Sequence, residues 1–335
     1  MASAEPIRKS DGPPRGDGPN VFPISPYLMV PEAQGEFAVY LMQNGRLVLY
    51  ASRGEQFSPA HRARLVELGV EQVYVNSDDK ARYERYVEGH LASVLADETI
   101  PAEERCRVWH DASLTVVRDM FDFDLPGAEL RNRYNRVRLL LKSVMRFISR
   151  PEMLKELSKL VAHGNDLHRH GLGVLVYTAT LLNAFDGTDS KLVQAACMGA
   201  LLHDLGKRKI SREILDTRPD LWTPEEKRLH ETHPSLGVSL ASRLPLTQET
   251  LTCILFHHER EDGQGYPSGA MGDDIPFYPK VVALCNRFDN LTRGKPWREP
   301  RTPFAALREI KADAGFTSSE ILRRFILVLS RANMT

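Results

Sequence analysis

The sequence is organised around one stretch, His257-His258-Glu259-Arg260-Glu261-Asp262-Gly263-Gln264-Gly265-Tyr266-Pro267. Its two adjacent histidines follow the apolar run 251–256 and precede a loop rich in carboxylates and glycine. Adjacent helical residues point about 100° apart, so both imidazoles can face one cavity only if that cavity is wide and polar. A site for two metal ions is one interpretation, because neutral imidazole is a common ligand of transition metals. A pair of histidines capping the end of a helix is the other, and these residues alone do not separate the two.

Further polar residues interrupt helices that are otherwise apolar on more than one face. The segments 167–185 and 191–205 have the pattern of central helices in an all-α bundle, yet they contain His170, His203 and Asp204. A buried polar group without a partner costs free energy, and metal coordination would remove that cost. His233, one helix later, adds another imidazole to the set.

Taken in order, these residues resemble the HD-GYP family of HD phosphohydrolases, which linearise cyclic di-GMP. The matching elements are His170, His203-Asp204, Lys207, His233-Pro-x-x-Gly237 and His257-His258-Glu-x-x-Asp262-Gly-x-Gly-Tyr-Pro267. The resemblance covers roughly residues 160–330, about half of the chain. It implies a mainly α protein whose C-terminal part is an all-helical HD-type bundle. It also implies a site for two or three divalent transition metal ions, iron or manganese.

The resemblance distributes the ligands between two ions that share one carboxylate. One ion is assigned His170, His203 and Asp204, and the second is assigned Asp204 as a bridge with His233, His257 and His258. Imidazole-rich sites with a bridging carboxylate select borderline transition metals, and paired ions can activate water while neutralising phosphate charge. Asp204 and Lys207 are the expected catalytic residues.

Two residues near these ligands have alternative interpretations. Lys207 is expected to direct a fixed cation at the developing phosphorane, and an ordinary surface lysine is the alternative. Asp166 lies four residues before His170. It is either a ligand of a third metal ion or the cap of a helix.

The loop 262–267 is expected to contact the substrate or a partner. Gly263 and Gly265 allow backbone conformations closed to other residues and let the backbone approach a ligand closely. Tyr266 can stack on a guanine or donate a hydrogen bond to phosphate. Docking of a GGDEF-type cyclase through the same loop is a competing use. Asp262 is expected to orient a ligand.

Two basic residues follow the next helix in Lys295-Pro296-Trp297-Arg298, where the family has Arg-Pro-Tyr and a further basic residue. The resemblance assigns Lys295 and Arg298 to the substrate phosphates. Lysine at position 295 lacks the bidentate fork of arginine. A loose surface loop with charged residues is the alternative.

The sequence departs from the family pattern at Asn286. The family has Asp-x-x-Asp-Ala-Leu-Thr, with the first Asp as a metal ligand, and this chain has Asn286-Arg287-Phe288-Asp289-Asn290-Leu291-Thr292. An amide oxygen coordinates a cation without bringing charge, which should weaken one metal site. Asp289 is expected to orient a ligand, or to compensate directly or through water.

Three functions remain open at this stage. The first is a phosphodiesterase that hydrolyses cyclic di-GMP to pGpG, or further to GMP. The second is an impaired domain that binds cyclic di-GMP or a GGDEF partner and regulates through that binding. The third is an HD hydrolase of another nucleotide, such as a different cyclic dinucleotide.

The rest of the chain is divided by composition and periodicity. Residues 1–20 are rich in Pro, Gly and charge and predict a disordered tail. Residues 21–79 predict a small α+β domain for sensing, docking or dimerisation, with a structural cap as the alternative; its signals are an Asn44-Gly45 hairpin and a helix opened by Ser58. Residues 80–150 predict a helical linker that could pair two chains as a homodimer. Residues 151–335 form the predicted HD-GYP-like domain.

Charge and cysteine spacing limit the function classes. The 44 basic and 44 acidic residues cancel, which argues against binding of bulk nucleic acid. The four cysteines show no Cys-x-x-Cys spacing and suit reduced thiols in a core. No apolar segment approaches the roughly 18 residues that span a bilayer, and the N-terminus lacks the apolar core of a secretory signal. A cytoplasmic location is therefore expected.

Overall fold

The computed structural model of the chain describes residues 20–121, 126–147, 150–162, 164 and 166–334. The chain divides into two compact units, Met1–Gly89 and His90–Thr335. The first contains a small sheet and the second is helical, so the mainly α fold class is confirmed. The tail predicted over residues 1–20 lies, apart from Asn20, outside the described residues.

The first unit is built on a four-stranded antiparallel sheet in the order β1-β4-β2-β3. Asn44 and Gly45, with φ of 50° and 75°, form the predicted turn of the hairpin. The Ser58 side chain accepts a hydrogen bond from His61 N and caps the helix that follows. The elements are β1 (Val21–Ile24), β2 (Val39–Gln43), β3 (Arg46–Ala51), α1 (Pro59–Glu67) and β4 (Val73–Asn76). Helix α2 (Lys80–Ala96) begins in this unit, and its residues from His90 onward belong to the second unit.

Strand β1 is the element of this unit that the sequence did not predict. It has four residues, one of them Pro23, and its pairing with β4 puts Val21 opposite Asn76. Proline cannot donate to a ladder, and an edge position removes that requirement. The formation of β1 therefore depends on its pairing with β4 more than on a strand pattern in its own sequence.

The described part of the second unit contains helices and connecting loops and no named strand. The sequence predicted a helical linker over residues 80–150, and its part from His90 onward lies in this unit. The helices are α3 (Ala102–Met120), α4 (Gly127–Phe147), α5 (Pro151–Val161), α6 (Leu167–Leu182), α7 (Ser190–Leu202), α8 (Arg212–Asp216), α9 (Pro224–Glu231), α10 (His233–Ala241), α11 (Gln248–Phe256), α12 (Phe277–Thr292), α13 (Pro303–Ala312) and α14 (Ser319–Arg331).

Helix α6 is buried on nearly every face and contacts α3, α5, α7, α12 and α14. A helix that is apolar all round belongs in a core, as its sequence predicted. Gly171 allows the close approach of α7, because a Cβ at this position would lie 2.6 Å from the carbonyl oxygen of Leu201. This approach brings His170 beside the C-terminal end of α7.

A second close approach brings α10 to the same place. After α7 the chain forms a 3₁₀ helix, Leu205–Lys209, which packs against α10. A Cβ on Gly206 would lie 1.9 Å from the carbonyl oxygen of His233 and 2.6 Å from the nitrogen of Gly237. Only glycine fits between these backbones without displacing them.

The four cysteines lie in the core, as the sequence predicted. Cys106, Cys197, Cys253 and Cys285 are all buried and none forms a disulfide. Among the described residues, no helix combines the length and the apolar character needed to cross a bilayer.

Replacing Gly171 by Ala should destabilise the second unit. The added methyl group meets backbone at a helix contact, and overpacking of this kind costs about 1–3 kcal/mol of the free energy of unfolding. Gly127→Ala is the matched control, because a Cβ there meets nothing within 4 Å, and it should change stability by less than about 0.5 kcal/mol. Urea denaturation followed by circular dichroism measures both, and equal midpoints for the two variants would contradict the close contact of α6 with α7.

Candidate metal centre

Five histidines and one aspartate converge from four parts of the second unit. We call this set the histidine cluster. His170 lies in the first turn of α6, His203 and Asp204 follow α7, His233 is the first residue of α10, and His257 and His258 follow α11. All of these residues except His258 are buried.

The cluster consists of two donor groups that share Asp204. Within each group one donor atom per residue lies within 4.8 Å of the others. The first donor group is His170, His203 and Asp204, and the second donor group is Asp204, His233, His257 and His258. These are the two ligand sets that the sequence resemblance assigned.

The two carboxylate oxygens of Asp204 face different donor groups. Oδ2 lies 3.5 Å from Nε2 of both His170 and His203, whose Nε2 atoms are 3.1 Å apart. Oδ1 lies 3.3 Å from Nε2 of His233 and 3.8 Å from Nε2 of His257, and those two Nε2 atoms are also 3.1 Å apart. Donors that share one ion at about 2.1 Å lie about 3.0–3.4 Å apart when adjacent and up to about 4.2 Å apart when opposite, so the spacing in each group suits a single cation.

The protons on the histidines follow from their Nδ1 contacts. Nδ1 of His203, His233 and His257 lies 2.7, 2.7 and 2.6 Å from the carbonyl oxygens of Ala200, His230 and Ile254. A carbonyl oxygen only accepts, so each Nδ1 carries a proton and donates it. In all three cases the acceptor is three residues earlier, at a helix end or turn where carbonyls lack helical partners.

The Nε2 atoms of His233 and His257 are therefore unprotonated and face each other. Burial lowers the pKa of both imidazoles, so neither takes a second proton near neutral pH. Two lone pairs 3.1 Å apart repel unless a cation lies between them. Nε2 of His258 is also buried without a hydrogen-bond partner.

The Asp204 carboxylate adds negative charge at the same place. Burial opposes its ionisation, but the charge of Lys207 and the neighbouring histidines hold the pKa of this carboxyl well below its usual value. Lys207 Nζ lies 2.6 Å from Oδ2, whereas Oδ1 is buried without a hydrogen bond. An unpaired carboxylate oxygen among unprotonated imidazoles fits the coordination of divalent transition metals. The donor set thus fits the metal ions that the resemblance implies.

His170 is oriented by a buried ion pair, since its Nδ1 does not contact a carbonyl. Its Nδ1 lies 2.7 Å from Oδ2 of Asp289. Arg293, which is 1% exposed, donates to both oxygens of Asp289 at 3.0 and 3.2 Å. Carboxylates behind a ligating histidine set its tautomer and ring orientation. Asp289 thus occupies the orienting position that the sequence suggested.

Asn286 is buried in α12, and its amide oxygen already has a donor. Asn290 Nδ2, one turn later, lies 2.7 Å from Asn286 Oδ1. The neutral oxygen at this position brings no charge to the cluster. Asp166 caps α6, accepts from Arg169 N at 2.9 Å and pairs with its guanidinium at 2.7 Å, and belongs to neither donor group. Of its two interpretations, the structure supports the helix cap.

The loop 262–267 folds back onto its own chain. Tyr266 stacks on His258 with ring centroids 4.5 Å apart and planes 19° apart. A Cβ on Gly265 would lie within 2.6 Å of the backbone of residues 258–260, and Gly263 turns the chain with φ of 74°. The close approach of Gly265 is therefore to the protein itself, and one face of Tyr266 is occupied by His258.

Asp262 and Arg298 form contacts within the protein that the sequence did not predict. Asp262 pairs with Arg260 at 2.7 Å and accepts from Gln264 N at 3.0 Å, so it braces the loop and does not contact a histidine of the cluster. Arg298 donates to the carbonyl oxygen of Asn290, which commits part of its guanidinium to the protein. Sequence position does not show these contacts, because both depend on how the loops fold.

Lys295 remains within electrostatic reach of the cluster. Burial, and then the charge of Lys207, lower its pKa to about 8. The side chain is therefore charged below about pH 8 and loses that charge as the pH rises further. Its backbone pairs with that of Arg298, which closes a tight turn after α12.

Two aromatic residues beside the cluster were missed by the sequence analysis. His230 packs against His233 with centroids 4.9 Å apart, and Trp222 packs on His230 at 4.5 Å and 37°. Trp222 Nε1 donates to the carbonyl oxygen of Ile214 at 3.0 Å, which fixes the indole. Burial and the charge of Lys207 lower the pKa of His230 to about 3, so this ring is neutral. The spacing of His230 three residues before His233 was a signal that could have identified it.

Comparisons with known proteins place the chain in a family. The HD domain family matches residues 149–317. A cyclic di-GMP phosphodiesterase of Thermotoga maritima is 34% identical over 143 residues, which are 42% of this chain and 39% of that protein. The cyclic di-GMP phosphodiesterase response regulator RpfG of Xanthomonas campestris is 32% identical over 166 residues, which are 49% of this chain and 44% of that protein. The chain thus spans less than half the length of these curated relatives.

A solved structure, described as an HDG"Y"P protein from Bdellovibrio bacteriovorus, has the same fold. It superposes with a TM-score of 0.63 at 21% identity and covers 92% of this chain and 99% of the other. The HD-type helical fold is thereby confirmed. This chain belongs to the HD domain family. Its recognition as an HD-GYP protein from the sequence is also confirmed.

Removing one imidazole should remove one metal ion. Protein saturated with manganese without air is expected to hold about two ions per chain, and His203→Ala about one, because a bound ion needs its full donor set. His168→Ala is the control, since His168 lies two residues from His170 but outside both donor groups. Elemental analysis after gel filtration gives the stoichiometry. Equal metal contents in the His203 variant and the unmodified protein would contradict the assignment of the first donor group.

Proposed function

We propose that this protein is a metal-dependent phosphodiesterase that hydrolyses cyclic di-GMP to pGpG. The observation that carries the proposal is the Asp204 carboxylate, whose two oxygens each face a pair of imidazole nitrogens 3.1 Å apart. The names of the curated relatives support the substrate class. Iron or manganese in both donor groups is part of the proposal, because imidazole with carboxylate suits such ions.

The proposed reaction is a hydrolysis. The oxygen of a water molecule attacks phosphorus, the bond from phosphorus to the ribose 3′ oxygen breaks, and the leaving oxygen takes up a proton. A pair of divalent cations supplies Lewis acidity to phosphoryl oxygens and makes water a nucleophile near neutral pH. His170, His203, Asp204, His233, His257 and His258 would hold them. Asp289 keeps the His170 ring in the tautomer that presents Nε2.

The two lysines supply charge that the phosphate needs. Lys207 is tied to Asp204 by a 2.6 Å ion pair, so its ammonium is held beside the shared carboxylate. Lys295 is partly buried and carries its charge below about pH 8. Preorganised cations stabilise charge that develops on phosphoryl oxygens, and they do so more strongly where water is excluded.

Trp222 and His230 are the residues we propose for the nucleobase. Their rings form a continuous aromatic surface that ends at His233 of the cluster. Trp222 is half-buried and held by its hydrogen bond to Ile214, so the indole is ordered before a base arrives. Aromatic faces bind bases by stacking, which contributes about 1–3 kcal/mol per base.

A regulatory binding module is the second candidate, and Asn286 is the observation that favours it. A neutral amide stands where the family has an acidic ligand, and its oxygen already accepts from Asn290. A weakened first donor group would leave a domain that binds cyclic di-GMP without turning it over. Docking of a GGDEF-type cyclase through residues 262–267, pairing of two chains and a cytoplasmic location stay predictions.

The activity is tested with protein loaded with manganese or ferrous ion and incubated with cyclic di-GMP. Chromatography is expected to show pGpG, with turnover abolished in His257→Ala and retained in His168→Ala. His257 lies in the second donor group, which is complete without Asn286. A full metal complement without turnover would refute the enzyme and leave the binding module.

The role of Asn286 is tested by Asn286→Asp. The variant keeps an oxygen that can accept from Asn290 and adds one negative charge to the cluster. If the amide impairs the site, metal affinity should rise by roughly 10–100-fold and turnover should rise with it. Asn183→Asp is the control for added charge, because Asn183 is exposed at the end of α6 and belongs to neither donor group. Unchanged metal affinity and turnover in Asn286→Asp would show that asparagine belongs to a working site.

Stacking on Trp222 is tested by a pair of substitutions. Trp222→Leu removes the aromatic face and should raise KM by roughly 5–150-fold with little change in kcat. Trp222→Phe keeps an aromatic face but loses the hydrogen bond to Ile214, and it should stay within a few-fold of the unmodified KM. Leu221→Ala is the control, because Leu221 is an exposed neighbour of Trp222 and its loss removes apolar surface without removing an aromatic face. A loss of kcat in both Trp222 variants would indicate a structural role instead of base binding.

A further inference from the structure

A cavity that contains no residue of the histidine cluster lies between the end of α2, the start of α3, the end of α4 and the start of α5. Its volume is about 310 Å³, and three charged side chains line it: Glu98, Arg105 and Arg150. The remaining walls are formed by Ala92, Leu95, Ala96, Phe147 and Met153. Neither donor group contributes a residue to it.

Arg105 is the unusual group of this cavity, because it is a buried cation without an anionic partner. Arg105 is 7% exposed, and its guanidinium forms no ion pair among the described residues. Nη1 donates to the carbonyl oxygen of Leu95 at 3.2 Å, and Nε is buried without any hydrogen-bond partner. A guanidinium in this state lacks the compensation that buried charges normally have.

The other two charges lie at the mouth of the cavity and neutralise each other. Glu98 pairs with Arg150, and their side chains are 67% and 49% exposed. Hydrogen bonding and the charge of Arg150, with a smaller contribution from Arg105, lower the pKa of Glu98. Two guanidinium groups and one carboxylate leave the cavity with one uncompensated positive charge, and that charge is at Arg105.

We propose that this cavity binds a small organic monoanion, a carboxylate with a short aliphatic or aromatic body. The planar fork of arginine matches a carboxylate, and a ligand anion would compensate the charge of Arg105. The apolar walls suit a hydrocarbon body. The volume is at the lower end of ligand pockets, and it corresponds to about ten water molecules.

The same features exclude other ligands. A cyclic dinucleotide is far larger than the cavity, so this is not a second copy of the proposed active site. A phosphate dianion carries two negative charges, and the cavity offers one uncompensated positive charge. Phosphate also has no apolar part that could pack against the apolar walls. The binding proposal is independent of the phosphodiesterase activity, because no residue of the cavity belongs to the histidine cluster.

The proposal is tested on the full chain with hexanoate and benzoate as probes. Isothermal titration calorimetry should give saturable binding of both carboxylates, while hexanol, benzyl alcohol and inorganic phosphate at the same concentrations give none. Arg105→Gln should weaken carboxylate binding by about 10-fold or more, since a hydrogen bond to a charged group is lost. Arg107→Gln is the matched control, because Arg107 lies two residues further along α3, is half exposed and pairs with Glu103 and Glu104.

A second variant keeps the buried arginine and does not risk the fold. Glu98→Gln removes an exposed carboxylate near the mouth and should strengthen binding of hexanoate and benzoate by about two- to fivefold. Absence of saturable binding by either carboxylate would overturn the proposal, and so would equal binding of the alcohols. Binding that survives Arg105→Gln unchanged would also overturn it, since the probes would then be held elsewhere, for example at bound metal ions.

Discussion

The interaction on which the second unit depends is the bridge made by Asp204. One oxygen faces His170 and His203 and the other faces His233 and His257, so a single carboxylate connects parts of α6, α7, α10 and α11. Without a cation this arrangement places negative charge and lone pairs together in a buried site. The close helix contacts at Gly171 and Gly206 hold the donors there despite that repulsion.

Four of the five imidazoles are oriented in two physically different ways. Three of them lie at helix ends or turns, where the carbonyl three residues earlier is free to accept from Nδ1. His170 lies within α6, where nearby carbonyls are used by the helix itself. It therefore needs a separate acceptor, Asp289, and the buried carboxylate in turn needs Arg293. The position of His170 inside a helix thus explains why Asp289 and Arg293 form an ion pair in the core.

Prediction from the sequence succeeded where residue type and short spacing carry the information. The Asn44-Gly45 hairpin, the Ser58 cap and the apolar helix α6 follow from local preferences. The donor groups were assigned by a motif whose elements are each local. The contacts of Asp262 and Arg298 within the protein were not predicted, because they are set by loop conformation, and the aromatic pair of Trp222 and His230 was missed.

By itself the sequence determined the fold class, the family and the residue types that can coordinate metal. These depend on helical periodicity, on caps and on the order of short motifs, which are properties of neighbouring residues. Only the tertiary structure decided which oxygen of Asp204 faces which histidines, that Asp289 orients His170 across 119 positions of sequence, and that Arg105 is buried without a partner. The reason is that these contacts depend on how closely helices pack. Around Asp204 that close packing is made possible by glycines, and the need for glycine is recognised only once the opposing backbone is known.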